Sequence, residues 1–101
     1  MTVKMQDESS TQRLHLSQQI AKFLLEIQAV KFNVIEPFTW TSGIKSPIYC
    51  DNRIVNSKVD VRNAVIDAFR DIISSKYLSQ TDIIAAVATG GIPYGALTAD
   101  R

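Results

Sequence analysis

Residues 83–100 read IIAAVATGGIPYGALTAD. Ile83 to Ala88 are six apolar residues with no polar alternation, the pattern of a strand buried on both faces of a parallel sheet. Thr89-Gly90-Gly91 follows as a tight turn. Pro93 then marks a helix start, because its missing N–H and fixed φ suit the first helical turn. The expected unit is strand, glycine loop, helix. A parallel strand needs parallel neighbours reached by right-handed crossovers, and little in residues 1–82 supplies one. The expected class is therefore α/β, a parallel sheet flanked by helices, with the 101-residue chain an incomplete domain whose sheet continues beyond residue 101.

A glycine loop between a strand and a helix N-terminus suits an anion. Backbone N–H groups point outward, glycine admits close approach, and the helix dipole favours negative charge. Gly90 and Gly95 have the outer spacing of a P-loop, but Ala96-Leu97 stands where Lys-Ser/Thr is required. The dinucleotide pattern G-x-G-x-x-G also fails, since Ile92 and Pro93 occupy the positions two residues after Gly90 and Gly91. A generic phosphate or pyrophosphate loop remains, beside the plain reading of a strand-to-helix turn.

Upstream, two amphipathic helices are expected. The first runs from near Ser10 or Thr11 to about Ala29, with Leu14, Leu16, Ile20, Phe23, Leu24 and Ile27 on one face. The second is capped by Asn56 or Ser57 and runs to about Lys76, with Val61, Val65, Ala68, Phe69, Ile72 and Ile73 inward and Arg62, Asp67, Arg70 and Asp71 toward water. Before the first helix, MTVKMQDESSTQR reads as a polar extension with no apolar core, unlike a signal peptide. No apolar run reaches the roughly 20 residues that span a bilayer, and the expected location is the cytoplasm.

Between the helices lies the mixed segment FTWTSGIKSPIYCDNR, residues 38–53. Short strands are expected at Val30–Ile35, Phe38–Trp40 and Ile48–Cys50, with a turn at Thr41-Ser42-Gly43 and an extended approach fixed by Pro47. Lys45 suits a phosphate or carboxylate, Tyr49 a planar ring, and Arg53 either Asp51 or a ligand. Each also has an ordinary reading, as solvated charge, strand packing or a local ion pair. Cys50 reads as a small buried hydrophobe, since no base is evident nearby.

The totals exclude several classes. Apolar residues make up 46% and charged residues 21%, and the net charge is +1, so no bulk field recruits nucleic acid or acidic membrane. Cys50 is the sole cysteine, which precludes an intrachain disulfide and a cysteine-rich metal site. His15, the sole histidine, sits in a helical pattern and reads as partly exposed packing.

Taken together, residues 38–53 and 83–100 closely resemble orotate phosphoribosyltransferases, and the resemblance extends over roughly residues 14–101. The F-T-W-x-S-G-x-x-S-P-I-Y-C-D-N-R run is the specific part; T-G-G-I-P is shared more widely among phosphoribosyltransferases. The resemblance implies the type I phosphoribosyltransferase fold with a small N-terminal hood. The organisation it suggests is an extension at 1–12, helix and hood at 13–56, and the first part of the α/β core at 57–101. It implies transfer of phosphoribosyl from phosphoribosyl pyrophosphate to orotate in pyrimidine synthesis, with magnesium, by a homodimer whose subunits exchange a mobile loop. Ser42, Gly43, Lys45, Tyr49 and Cys50 match the substrate-lining segment, and Thr89, Gly90 and Gly91 match the pyrophosphate loop. A non-proline cis peptide is implied near Ala88-Thr89. Thr41 and Gly90 stand where some members carry lysine. The catalytic residues, the mobile loop and the acidic donor motif are expected after Arg101, so residues 1–101 alone are expected to be inactive. A regulatory protein that senses phosphoribosyl pyrophosphate on the same fold is the alternative, but such proteins usually add a DNA-binding domain, and the first thirty residues show no helix-turn-helix pair.

Overall fold

The computed structural model describes residues 2–101, with side chains from Ser10 onward. Two compact units meet in the sequence at Ile54 and Val55.

The first unit opens with α1, Thr2–Glu26. The helix begins well before the expected Ser10 or Thr11, so most of the polar stretch is helical. That stretch has no Gly or Pro, and Met, Lys, Gln and Glu are good helix formers. The expected apolar stripe is the less exposed face: Leu16, Ile20, Phe23, Leu24 and Ile27 are half-buried, and Leu14 lies outside. His15 is exposed on this helix.

The helix ends three residues before the expected Ala29. Gln28 turns into the left-handed region at φ 61°. Its N–H donates to Leu25 O, and the Ala29 N–H donates to Leu24 O. These are the two bonds of a Schellman motif, which satisfies carbonyls the last turn would leave open. Glycine usually fills the left-handed position because a Cβ is strained there. Gln28→Gly is therefore expected to raise stability by about 0.5–1 kcal/mol, read as a higher urea midpoint with unchanged slope. Unchanged or lower stability would count against this account of the terminus.

After the turn come β1 (Val30–Phe32), β2 (Phe38–Thr39), β3 (Lys45–Ser46) and β4 (Ile48–Cys50). β1 is shorter than the expected Val30–Ile35. Asn33 stops it, because its Oδ1 accepts the N–H groups of Ile35 at 3.1 Å and Glu36 at 2.9 Å. Such side-chain bonds offer the backbone an alternative to the ladder. β2 and β3 form a hairpin pairing Phe38 with Ser46 and Thr39 with Lys45. Its turn closes with Gly43 N–H on Trp40 O and Trp40 N–H on Ile44 O, each 2.8 Å. Gly43, at φ 88°, supplies the positive φ. β1 and β4 pair antiparallel, Val30 with Cys50, Lys31 with Tyr49 and Phe32 with Ile48.

The second unit is helical. A 3-10 stretch, Asn52–Ser57, carries the buried Val55 into α2, Val59–Lys76. The expected caps Asn56 and Ser57 fall inside that stretch, and Lys58 precedes α2 with no side-chain cap. Asp60 in the first turn and Lys76 in the last complement the helix dipole. The buried residues of α2 are Val65 and Ile66. Ile66 was not on the expected face, while Phe69 and Ile72 of that face are exposed. Arg62, expected in water, is half-buried, and its Nε is buried without a hydrogen-bond partner.

Helix α3, Ile92–Asp100, packs on α2. Tyr94 meets Phe69 edge to face at 6.4 Å between centroids. Arg101 binds both Asp67 and Asn63 of α2, so Asp67 is an inter-helix anchor rather than plain solvated charge. Thr98 is the buried residue of α3.

Between the helices, Ile83–Val87 has no regular secondary structure and Ala88 opens a turn. Ile83 is 83% exposed and Val87 84% exposed, so the doubly buried strand expected here is absent among the described residues. A parallel-type strand is buried only when neighbours flank it, and the sheets of the described residues are the two antiparallel pairs of the first unit.

Candidate functional site

The expected site residues fall in both units, and each cluster is built separately. In the first unit the register of β4 decides what it can offer. Asn33 N–H donates to Pro47 O at 2.8 Å, and Asp51 N–H donates to Ala29 O at 2.7 Å. Antiparallel ladders alternate hydrogen-bonded and open pairs, so between these two bonds Lys31 and Tyr49 form the bonded pair. Ile48 and Cys50 then turn their backbone N–H and C=O away from β1, toward the free edge of β4. Ile48 is already engaged there: its N–H donates to Ser46 Oγ at 3.1 Å, and its C=O accepts the Trp40 indole N–H at 3.0 Å. The Cys50 N–H and C=O face outward with no protein partner among the described residues. A donor and an acceptor from one residue, side by side on an edge, match a ring amide or imide.

The side chains add shape. Tyr49 lies 5.6 Å from Phe38, centroid to centroid, with the rings tilted by 37°. Its ring is partly exposed, so the phenol is supported on one side and open on another. Cys50 is exposed rather than buried as expected, and its thiol donates to Asn52 Oδ1 at 3.2 Å. Ser42 Oγ accepts the Ile44 N–H at 3.5 Å, a long bond that steadies the turn at Gly43. Lys45 is exposed and takes part in none of the ion pairs among the described residues.

Arg53 pairs with Asp51. Its Nε donates to Oδ1 at 2.8 Å and its Nη2 to Oδ2 at 2.9 Å, while its backbone N–H reaches Oδ1 at 3.1 Å. The Arg53 hydrogen bonds hold the Asp51 carboxyl below the usual carboxylate range, and the same pairing pushes Arg53 up. A carboxylate lowered in the folded state stabilises it above the ordinary range, and that help fades as pH falls through the lowered value. The fork fixes the chain where β4 ends.

In the second unit, Thr89, Gly90 and Gly91 form the loop ahead of α3. The Ala88-Thr89 peptide is cis, as the resemblance implied. Gly91 N–H donates to Val87 O at 2.8 Å and Ile92 N–H to Thr89 O at 3.2 Å, while Pro93 has no N–H. Of the three loop residues, Thr89 and Gly90 therefore keep their N–H groups without an acceptor among the described residues. The glycines have different tasks. A Cβ on Gly91 would lie 2.6 Å from Val87 O, and one on Gly95 would lie 2.5 Å from Ala86 Cβ. A Cβ on Gly90 would meet nothing within 4 Å. Packing thus accounts for Gly91 and Gly95 but not for Gly90, which borders open space where an anion has room. A cleft of about 330 Å³ elsewhere in this unit borders Arg70, Leu78 and Ile83, at the Ile83 end of the Ile83–Ala88 run rather than at its glycine end.

Among the described residues, no three His, Cys, Asp or Glu side chains cluster closely enough to hold a metal ion. None of their helices is long and apolar enough to cross a membrane. Sequence reading had no means of finding the Trp40–Ile48 bond or the split roles of the loop glycines, which exist only in three dimensions.

The arrangement has counterparts among known proteins, although no protein-family model matches the chain. It is 52% identical over 83 residues to the orotate phosphoribosyltransferase of Coxiella burnetii, covering 82% of this chain and 39% of that protein. It is 51% identical over 86 residues to the orotate phosphoribosyltransferase of Bacillus subtilis, covering 85% and 39%. The crystal structure of orotate phosphoribosyltransferase from Aeropyrum pernix superposes with a TM-score of 0.64 at 28% identity, over 81% of this chain and 47% of that one. The chain thus spans about 39% of the length of these two curated relatives. Within that span its sequence is similar to orotate phosphoribosyltransferases, and its fold is that of part of a type I phosphoribosyltransferase.

Proposed function

We propose that this chain supplies the orotate-facing strand and the pyrophosphate loop of an orotate phosphoribosyltransferase. The observation that carries the reading is the free edge of β4, where Cys50 presents an unpaired N–H and C=O beside the Tyr49 ring. Orotate is a planar pyrimidine whose imide edge offers the complementary acceptor and donor. In this reading the Tyr49 ring covers the pyrimidine. Ser42, Gly43 and Lys45 line the same side, with Lys45 supplying positive charge toward the ligand's anionic groups. Thr89, Gly90 and Gly91 receive the pyrophosphate of the donor, Thr89 and Gly90 through their N–H groups and Gly91 by holding the loop's shape.

The reaction breaks the bond between ribose C1 and pyrophosphate oxygen and forms one between C1 and the orotate ring nitrogen, which gives up its proton. Positive charge grows on the sugar and negative charge on the leaving group. The chain's part is to position one reactant and to meet the other's charge with fixed N–H dipoles, which need no reorganisation during the reaction. No nucleophile is required of it, and the exposed Cys50 thiol takes no covalent role. Magnesium accompanies the donor's phosphates in this proposal; the described residues do not form a protein site for it. The remaining proposed features, a homodimer exchanging a mobile loop and a cytoplasmic setting, follow from the same reading.

The test is orotate loss by absorbance, with phosphoribosyl pyrophosphate and magnesium, using the full-length protein and residues 1–101 side by side. Turnover is expected from the full-length protein and none from residues 1–101. No turnover by a folded full-length protein would sink the orotate assignment.

A further inference from the structure

The free edge of β4 presents two residues outward, Ile48 and Cys50, and the protein treats them differently. Both backbone groups of Ile48 are occupied by side chains from the adjoining hairpin: Ser46 Oγ takes the N–H and the Trp40 indole takes the C=O. The Trp40 contact is not a buried structural necessity, since Trp40 is 41% exposed, and Ser46 is only half-buried. An edge carbonyl near solvent is satisfied by water at little cost. What the two contacts change is the set of places where a ligand can pair.

An extended edge repeats its donor and acceptor pattern every second residue. A planar ring with an imide edge would otherwise find equivalent partners at Ile48 and at Cys50. We infer that Trp40 and Ser46 are specificity-determining residues: by occupying both edge groups of Ile48, they leave Cys50 as the pairing position on this edge and so fix the pyrimidine's register. This rests on the orotate reading of β4 and goes beyond it, because neither residue touches the ligand. Both are positioning residues that act through the Ile48 peptide.

The experiment uses the full-length protein. Trp40→Phe keeps an aromatic ring and deletes the N–H donor. A ring paired at Ile48 is bound unproductively, so Trp40→Phe is expected to lower kcat and the KM for orotate together, each by about twofold to fourfold, with kcat/KM for orotate unchanged. The KM for phosphoribosyl pyrophosphate should not move. Ser46→Ala should move the same constants in the same direction, and Ser46→Thr, which keeps the oxygen, should stay within about twofold of wild type. Circular dichroism checks folding, and Ser46→Ala carries the test if Trp40→Phe does not fold.

An unchanged orotate KM in both Trp40→Phe and Ser46→Ala overturns the inference while leaving the orotate reading intact. A fall in kcat with both KM values shifted marks a merely structural role and also overturns it. No turnover by folded wild type removes the orotate reading and this inference together.

Discussion

Gly91→Ala is expected to destabilise the full-length protein by about 2–3 kcal/mol, while Gly90→Ala leaves stability within about 0.5 kcal/mol. The added Cβ at position 91 would sit 2.6 Å from Val87 O and 3.1 Å from Val87 N. Those are backbone atoms at the end of the Ile83–Ala88 run, so relief requires the loop itself to move. That loop is held by the Gly91 N–H bond to Val87 O, which the same movement would weaken. At Gly90 a Cβ meets nothing within 4 Å, and the residue has no positive φ. Alanine there is free of strain in the unliganded fold. A loop that receives pyrophosphate would nonetheless be crowded by a methyl group beside its N–H donors. Gly90→Ala should therefore raise the KM for phosphoribosyl pyrophosphate about tenfold or more with orotate binding unaffected, roughly 1.4 kcal/mol of lost donor binding. Thermal melts and steady-state kinetics on the two variants separate shape from contact. Equal effects on both quantities in both variants would contradict the division of labour between the two glycines.

The second large effect is expected at Gly95. A Cβ there would approach Ala86 Cβ to 2.5 Å, so α3 and the Ile83–Ala88 run are in contact with no room for a methyl group. Gly95→Ala should cost about 1–3 kcal/mol as an overpacking strain, and Gly95→Val more. The reciprocal change supplies the check. Ala86→Gly removes the opposing methyl group, so the double variant Ala86→Gly with Gly95→Ala should recover much of the loss in a double-mutant cycle. Strict additivity would mean that the contact does not control the packing.

Some of this was legible from residue order. The Asp-Asn-Arg corner, the turn at Thr41-Ser42-Gly43 and the loop before Pro93 are local features, and local chemistry decides them. The stripe on α1 was equally plain, because helical spacing needs no partner to be seen. The end of that helix was not: Gln28 adopts a conformation that its type disfavours, and the choice is enforced by the bonds that close the terminus. On α2 the outward reading of Arg62 failed, since that side chain is half-buried. The partner of Asp67 was hidden for a different reason: a contact across thirty-four residues, from Asp67 to Arg101, leaves no trace in spacing. In the candidate site, the residue types of β4 were readable, but which of them turns its backbone outward depends on register with β1. Only the pair of bonds at Asn33 and Asp51 fixes it.

The segment Ile83–Ala88 has a consequence for the life of the chain before its fold is complete. It has no charge and no proline, is rich in β-branched and small apolar residues, and leaves Ile83 and Val87 in water. Such a run is a template for pairing with any similar strand it meets, including the same run on another molecule. Correct pairing of non-local strands is slow, so the exposed interval is long on the scale of encounter between chains. Synthesis, refolding and truncation all pass through that interval, and there the danger is not loss of structure but the gain of the wrong one, an intermolecular β aggregate. The residues that lead into the glycine loop are the ones most open to that error.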